Sequence, residues 1–390
     1  MKAQEQILAS LGAQGDDLAA LERYNENHFD LAVLDEQPLP HDDEPCVEQW
    51  ATWLRRAGGG AVWPLLRADL PQLAFPVAAG MSATDDYRAA TLAGRPVNSL
   101  EKATGLEIEQ PEGIELMLHR TAAGRIPVLI VRQRQDFVAL VQALGRRNEA
   151  RPVPAAMGAL MVAGFNNWAR IRERQAKWRE TPPEDRETAT WKEEFSRLRA
   201  HKELFQDRFM ILSNGPYSAV PAGDLGLQDD DWRERSLVIR REHEATHYFT
   251  RRLFGSMRNN LLDELIADYT GIVAAEGYFR ADWFRRFVGL QADGAIRSNG
   301  RINIYRGDPP LSDAAFAVLG KLVVRAAEHL EAFDRVAFSG PPSLRQQAVM
   351  IVALATLRLE NLAASDGADA IGRARDEAER RLRWRKHVAD

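Results

Sequence analysis

The sequence predicts an α+β protein that is predominantly helical, with a small mixed or antiparallel sheet. Three observations lead there. Short β-prone apolar runs are concentrated in the first 135 residues, apolar residues recur at helical spacing from about residue 136, and one extended run, RFMILSNGPYSAVPAG at 208–223, interrupts the helices. A chain of 390 residues with 45% hydrophobic content can fill one large core or two ordinary ones.

Composition narrows the function classes. Against 51 basic residues stand 56 acidic ones, a formal charge of −5, so no overall basic field invites nucleic acid or an anionic membrane. Cys46 is the single cysteine, which excludes an internal disulfide, a cysteine-rich zinc ribbon and an iron–sulfur cluster, and leaves His, Asp and Glu to hold any metal. The first 29 residues alternate charged and apolar positions and lack the continuous apolar core of a secretory signal, and no uncharged apolar stretch is long enough to span a bilayer. The expectation is a cytoplasmic protein without nucleic-acid or membrane partners.

The elements follow in order. Residues 4–24 have a helical pattern, and QPLPHDDEP at 37–45 is a turn-rich break before the helix VEQWATWLRRA, which Gly58-Gly59-Gly60 stops. LAFPVAA at 73–79, GIELMLHR at 113–120 and RIPVLIVRQ at 125–133 read as strands, the last two joined by Thr121-Ala122-Ala123-Gly124 as a hairpin. DFVALVQALG reads as a helix ending at Gly145, and PVPAAMGALMVAGFNNWARIRERQAKW as one that begins after a proline pair and becomes charged. A helix, a Pro182-Pro183 turn and another helix come next. In 208–223 the Gly215-Pro216 pair suits an edge strand and disfavours a central one.

Residues 232–254 have the grammar of one long helix: Asp231 as cap with Glu234 three residues on, Arg251 and Arg252 at the negative end of the dipole, Gly255 as the stop. On it His243 and His247 lie four apart and share a face, so both imidazoles can reach one ion, with Glu244 on the adjoining turn beside a metal-bound water. A pattern of this kind arises by chance in roughly one such chain in a hundred, so the following segment decides its weight. There Asn260 caps a second helix, over 260–276, and Glu264 and Asp268 share one face that continues through Gly271 and Ala275, residues small enough for close helix approach. An antiparallel helix pair brings Glu264 to the open side of the two histidines. Two imidazoles and one carboxylate leave a fourth position free, as in catalytic zinc sites, and Asp268 is placed to accept the outer ring proton of a ligating histidine.

His243-Glu244-Ala245-Thr246-His247 followed by Asp263-Glu264-Leu265-Ile266-Ala267-Asp268 resembles the active-site helix pair of the gluzincin metallopeptidases, the thermolysin-like zincins, over about 45 residues. The resemblance implies a zincin-like core with a long active-site helix against a small sheet. It implies that His243, His247 and Glu264 bind one Zn2+, that Glu244 is the general base, and that Asp268 supports a ligating histidine. It further implies that an upstream strand, here 209–220, lines the substrate cleft and pairs with an extended peptide, which makes Asn214 and Tyr217 substrate-binding candidates. The sixteen residues between His247 and Glu264 are fewer than is usual in that family. Its oxyanion-stabilising His or Tyr has candidates here in His329, His387 and Tyr305; Tyr305, in the polar segment RINIYRGD between Arg301 and Arg306, is preferred, and His329 reads as a packed or surface residue.

The expected activity is therefore that of a zinc-dependent hydrolase acting on a peptide or small amide, selective because nothing marks an exported digestive enzyme. An alternative keeps the three ligands and changes the metal: two histidines and a carboxylate also hold Fe2+ in non-haem oxygenases, and Glu244 would then have no role. A zincin fold kept only for binding would likewise leave Glu244 unexplained. Asp229-Asp230-Asp231 reads as a solvated helix start, since no spaced oxygen ligands follow, and the C-terminal run RARDEAERRLRWRKHVAD as a surface helix. The expected organisation is a mixed α/β portion over 1–135 and a mainly helical catalytic portion over 136–390, as two domains or one continuous unit.

Overall fold

A computed structural model describes residues 3–35, 38–338 and 340–385; His387 lies outside them. The chain is mainly helical with one four-stranded sheet, an α+β protein. No helix among the described residues is long and apolar enough to cross a membrane. The residues form two compact units, one comprising 43–120 and 124–215, the other 1–42, 121–123 and 216–390. The boundary expected near residue 135 thus falls within the first of these, because helices after it pack on the sheet's own core while the first 42 residues group with the helical C-terminal part.

The sheet unit is built on β1 (Ile114–Thr121), β2 (Gly124–Val131), β3 (Ala159–Asn166) and β4 (Gln206–Ser213), in the order β1-β2-β4-β3. The hairpin of β1 and β2 turns at Ala122-Ala123 as expected. β4 runs parallel to β2, with Leu129 opposite Ile211, and antiparallel to β3, with Leu160 opposite Ile211. So β4 is an interior strand, contrary to the edge position read from Gly215-Pro216. Those residues lie beyond its last paired position, where a missing N–H costs no ladder bond, and Phe209 to Leu212 are fully buried as an interior strand requires.

The edges are β1 and β3, and β3 falls within a segment that the sequence predicts as a helix. The β3 residues are mostly half-exposed, and a bulge between Ala163 and Phe165 breaks their alternation. The helix expected there starts later, at Trp168, capped by Asn167, whose Oδ1 accepts the Ala169 N–H at 3.0 Å. LAFPVAA is no strand: its first two residues end a short 3-10 turn, Pro71–Ala74, and Pro76 within it cannot donate to a ladder. The helix Val47–Ala57 matches its expected limits, ending at left-handed Gly58. Its Trp50 donates to Asp207 at 2.8 Å, and Arg170 and Asn167 bind the same carboxylate at 2.7 and 2.6 Å, a buried polar cluster within the apolar core.

In the helical unit the two helices that matter are Asp229–Phe254, here the histidine helix, and Leu261–Glu276, the carboxylate helix. The first begins three residues before the expected limit. Asp231 is inside its first turn and does not cap it; Asp229, Asp230 and Asp231 together place three negative charges at the positive end of the dipole, and Trp232 already donates to the Gln228 carbonyl. Asn260 precedes the second helix but makes no capping bond, its amide donating to the Tyr24 carbonyl instead. Asp263, inside the first turn, accepts the Asn259 N–H at 2.5 Å. Where the helices cross, a Cβ on Gly271 would stand 2.6 Å from the Ile239 carbonyl oxygen, so glycine is what permits the approach. The carboxylate helix is tied to the long helix Asp313–Ala337 by Tyr269, which donates to Asp334 at 2.7 Å, and is packed by the buried helix Leu344–Ala355.

Candidate metal centre

Helix spacing sets the first two donors. His243 and His247 are both buried, and their Nε2 atoms face each other at 3.1 Å. The carboxylate helix delivers the third, with Glu264 Oε2 3.7 Å from His243 Nε2 and Oε1 3.5 Å from His247 Nε2. Donors about 2.0–2.1 Å from a tetrahedrally coordinated ion stand roughly 3.3 Å apart, so these separations suit one small divalent cation. His243, His247 and Glu264 are the one group of three such ligands found among the described residues.

The protonation pattern agrees. His243 Nδ1 lies 2.7 Å from Asp268 Oδ1, so it carries the proton and leaves the Nε2 lone pair facing inward. Glu264 Oε2 is buried without a hydrogen-bond partner, and so is His247 Nδ1. Asp263 also has an unpartnered buried Oδ1, and its charge acts on His247. Burial raises the Asp263 carboxyl to about 6. Burial works against a charged His247, yet Glu264, Glu244 and Asp263 raise it to about 9. Burial likewise opposes the Glu264 charge, but the two imidazoles and Arg301 hold it well below the usual carboxylate range. A divalent cation would take over the role of the His247 proton.

The expected residues fall into place unequally. Glu244 is half-buried one position from His243, on the adjoining turn. Asp268 is fully buried and supports His243, as its spacing implied. Tyr305 is brought beside Glu264: burial first, then that carboxylate, push its phenol far above the ordinary value, so it is a proton donor at neutral pH. His329 instead bonds the Leu362 carbonyl through Nδ1 at 2.8 Å. Tyr217 is not an open substrate contact but a buried member of the support, donating to Asp268 Oδ1 at 2.6 Å and standing 2.9 Å from His243 Nδ1. Asn214, half-buried just past β4, belongs to the sheet unit and not to this cluster.

In the sequence Arg301 stands out only as a neighbour of Tyr305. Its guanidinium bonds Asp268 Oδ2, meets the Tyr217 hydroxyl at 3.0 Å and lies 3.6 Å from Glu264 Oε2. It supplies a fixed positive charge beside two buried carboxylates, Glu264 and Asp268. Burial would push the Asp268 carboxyl up, but Arg301 and His243 hold it below the usual range. No local pattern marks Arg301, since it reaches the site from a 3-10 turn 33 positions beyond Asp268. The signal available in the sequence is a charge count: two carboxylates on one helix face with no Lys or Arg on that helix to balance them.

No curated protein and no solved structure matches the chain. A family model does, over residues 6–366, and the chain accordingly belongs to the Family of unknown function (DUF7005).

Proposed function

We propose that the protein is a zinc-dependent hydrolase of the gluzincin type that cleaves a peptide or small amide bond in the cytoplasm. The observation that carries this reading is the convergence of two imidazole Nε2 atoms and an unpartnered carboxylate oxygen at ion-binding separations, within buried walls. The donor set of two nitrogens and one oxygen suits zinc and leaves a position open. When bound, zinc supplies a water acidified to near neutrality and polarises a carbonyl.

The chain's own residues do the rest. His243, His247 and Glu264 hold the ion. Glu244 takes the proton from the attacking water and returns it to the leaving amine. Tyr305, kept protonated, donates to the oxyanion that forms at the scissile carbonyl. Asp268 fixes the His243 tautomer, and Tyr217 and Arg301 fix Asp268.

Elemental analysis of purified wild type and Glu244→Gln, beside peptide hydrolysis by both, tests this. About one zinc per chain is expected in each, with hydrolysis reduced by about 10²–10⁴-fold in the variant. Iron in the wild type, with oxygen consumption that survives Glu244→Gln, would replace the hydrolase with an oxygenase.

A further inference from the structure

The sheet unit holds a second feature, unrelated to the ion ligands. A cavity of about 560 Å³ lies along β3, walled by Tyr87 and Leu92 of the helix Asp85–Ala93 and by the turn at 143–147. A second, of about 500 Å³, shares Leu92, Asn166 and Gln206 with it and continues toward Phe195 and Arg199. Together they form one long cleft beside the β3 edge of the sheet.

Its charge is one-sided. In a protein with a formal charge of −5, the charged residues lining the cleft are Arg147, Arg199 and Lys202, with no carboxylate among the described lining residues. No ion pair joins any of the three to a described residue. The backbone at Arg147 is in an uncommon conformation. Arg147 and Asn148 have φ of 58° and 60°, a left-handed pair that non-glycine residues adopt only when the surroundings enforce it. Fully buried Asn148 enforces it, donating to the carbonyls of Gln72 and Phe75 at 3.0 and 2.9 Å. Beside the turn, Gln72 is 6% exposed and lines the cavity, with an Oε1 that has no partner among the described residues. Leu92, at the junction of the two cavities, is 49% exposed. The cleft thus offers separated cations, an unused acceptor, an apolar floor from Leu144, Leu160 and Val162, and unpaired strand backbone.

We propose that this cleft binds an acidic peptide in extended form along the free edge of β3, with its carboxylates at Arg147 and at Arg199 and Lys202. A small anion would satisfy only one end, whereas a peptide satisfies the strand's outward N–H and C=O groups, donates to Gln72 and spaces its charges along the cleft.

The test is fluorescence polarisation with full-length protein in chelator, which makes it independent of any bound ion and therefore of the hydrolase reading. The probes are a labelled ten-residue peptide alternating Glu and Val and its counterpart with Lys for Glu. The acidic peptide is expected to bind at least about tenfold more tightly, and Arg147→Glu and the double change Arg199→Glu, Lys202→Glu are each expected to weaken it at least about tenfold. Equal binding of both peptides overturns the proposal, as does no binding at millimolar peptide. Unchanged affinity in both variants, with wild-type circular dichroism, or equally tight binding of an oligonucleotide of the same charge, overturns it as well.

Discussion

Around His243 every polar atom has a reason that can be removed one residue at a time. Asp268 accepts the His243 Nδ1 proton at 2.7 Å, so Asp268→Asn takes away the acceptor charge that orients and enriches the ligand. Zinc competition titration is expected to show affinity lowered by about 10–100-fold. Unchanged affinity would mean that Asp268 serves only packing. Arg301→Met leaves Asp268 and Glu264 buried with one compensating charge fewer, and a lower melting temperature in chelator as well as in zinc is the expected outcome. At this scale the sequence discloses the candidate ligands His243, His247 and Glu264, because helix periodicity alone puts residues four apart on one face and the next helix supplies a carboxylate. It could not disclose Arg301 or the buried position of Tyr217, whose distances from the motif in sequence are set by turns that obey no short period.

Elements carry the geometry that the ligands need. The histidine and carboxylate helices approach at Gly271, where an added Cβ would meet backbone at 2.6 Å and not a flexible side-chain tip. Gly271→Val is therefore expected to cost about 1–3 kcal/mol in chemical denaturation and to lower zinc retention, because Glu264 rides on the displaced helix. Loss of stability without loss of zinc would separate the crossing from the site. In the sheet unit Asp207→Ala is expected to destabilise by about 3–5 kcal/mol, since it strands the buried Arg170 guanidinium. Strand reading from sequence succeeded for β1 and β2, whose apolar runs are bounded by turn residues. It failed for β3, because an edge strand with a bulge has neither a clean alternation nor a buried run. The edge position expected for β4 fails because Gly215-Pro216 lies beyond the ladder, which ends at Ser213.

At the scale of the molecule, the helical unit does not depend on a metal for its core. The helix Asp313–Ala337 buries Leu319, Leu322, Val323, Ala326 and Leu330 completely, and Leu344–Ala355 is buried from Ala348 onward. Chelation should therefore leave a folded protein that melts lower, with zinc at about a thousand times its Kd adding about 4 kcal/mol, and His243→Ala should melt identically with and without zinc. The fold class was legible because periodicity is a property of whole segments; the division into units was not, because the first 42 residues join partners more than 170 positions away.

The central claim is that His243, His247 and Glu264 hold one zinc ion with a position left open. X-ray absorption at the zinc edge of the stoichiometrically loaded protein tests it most directly. The account predicts four or five nitrogen and oxygen neighbours at about 2.0–2.2 Å, two of them with imidazole outer-shell scattering, and loss of that scattering in the double change His243→Ala, His247→Ala. An all-oxygen six-coordinate environment, or the same spectrum in the variant, would contradict it.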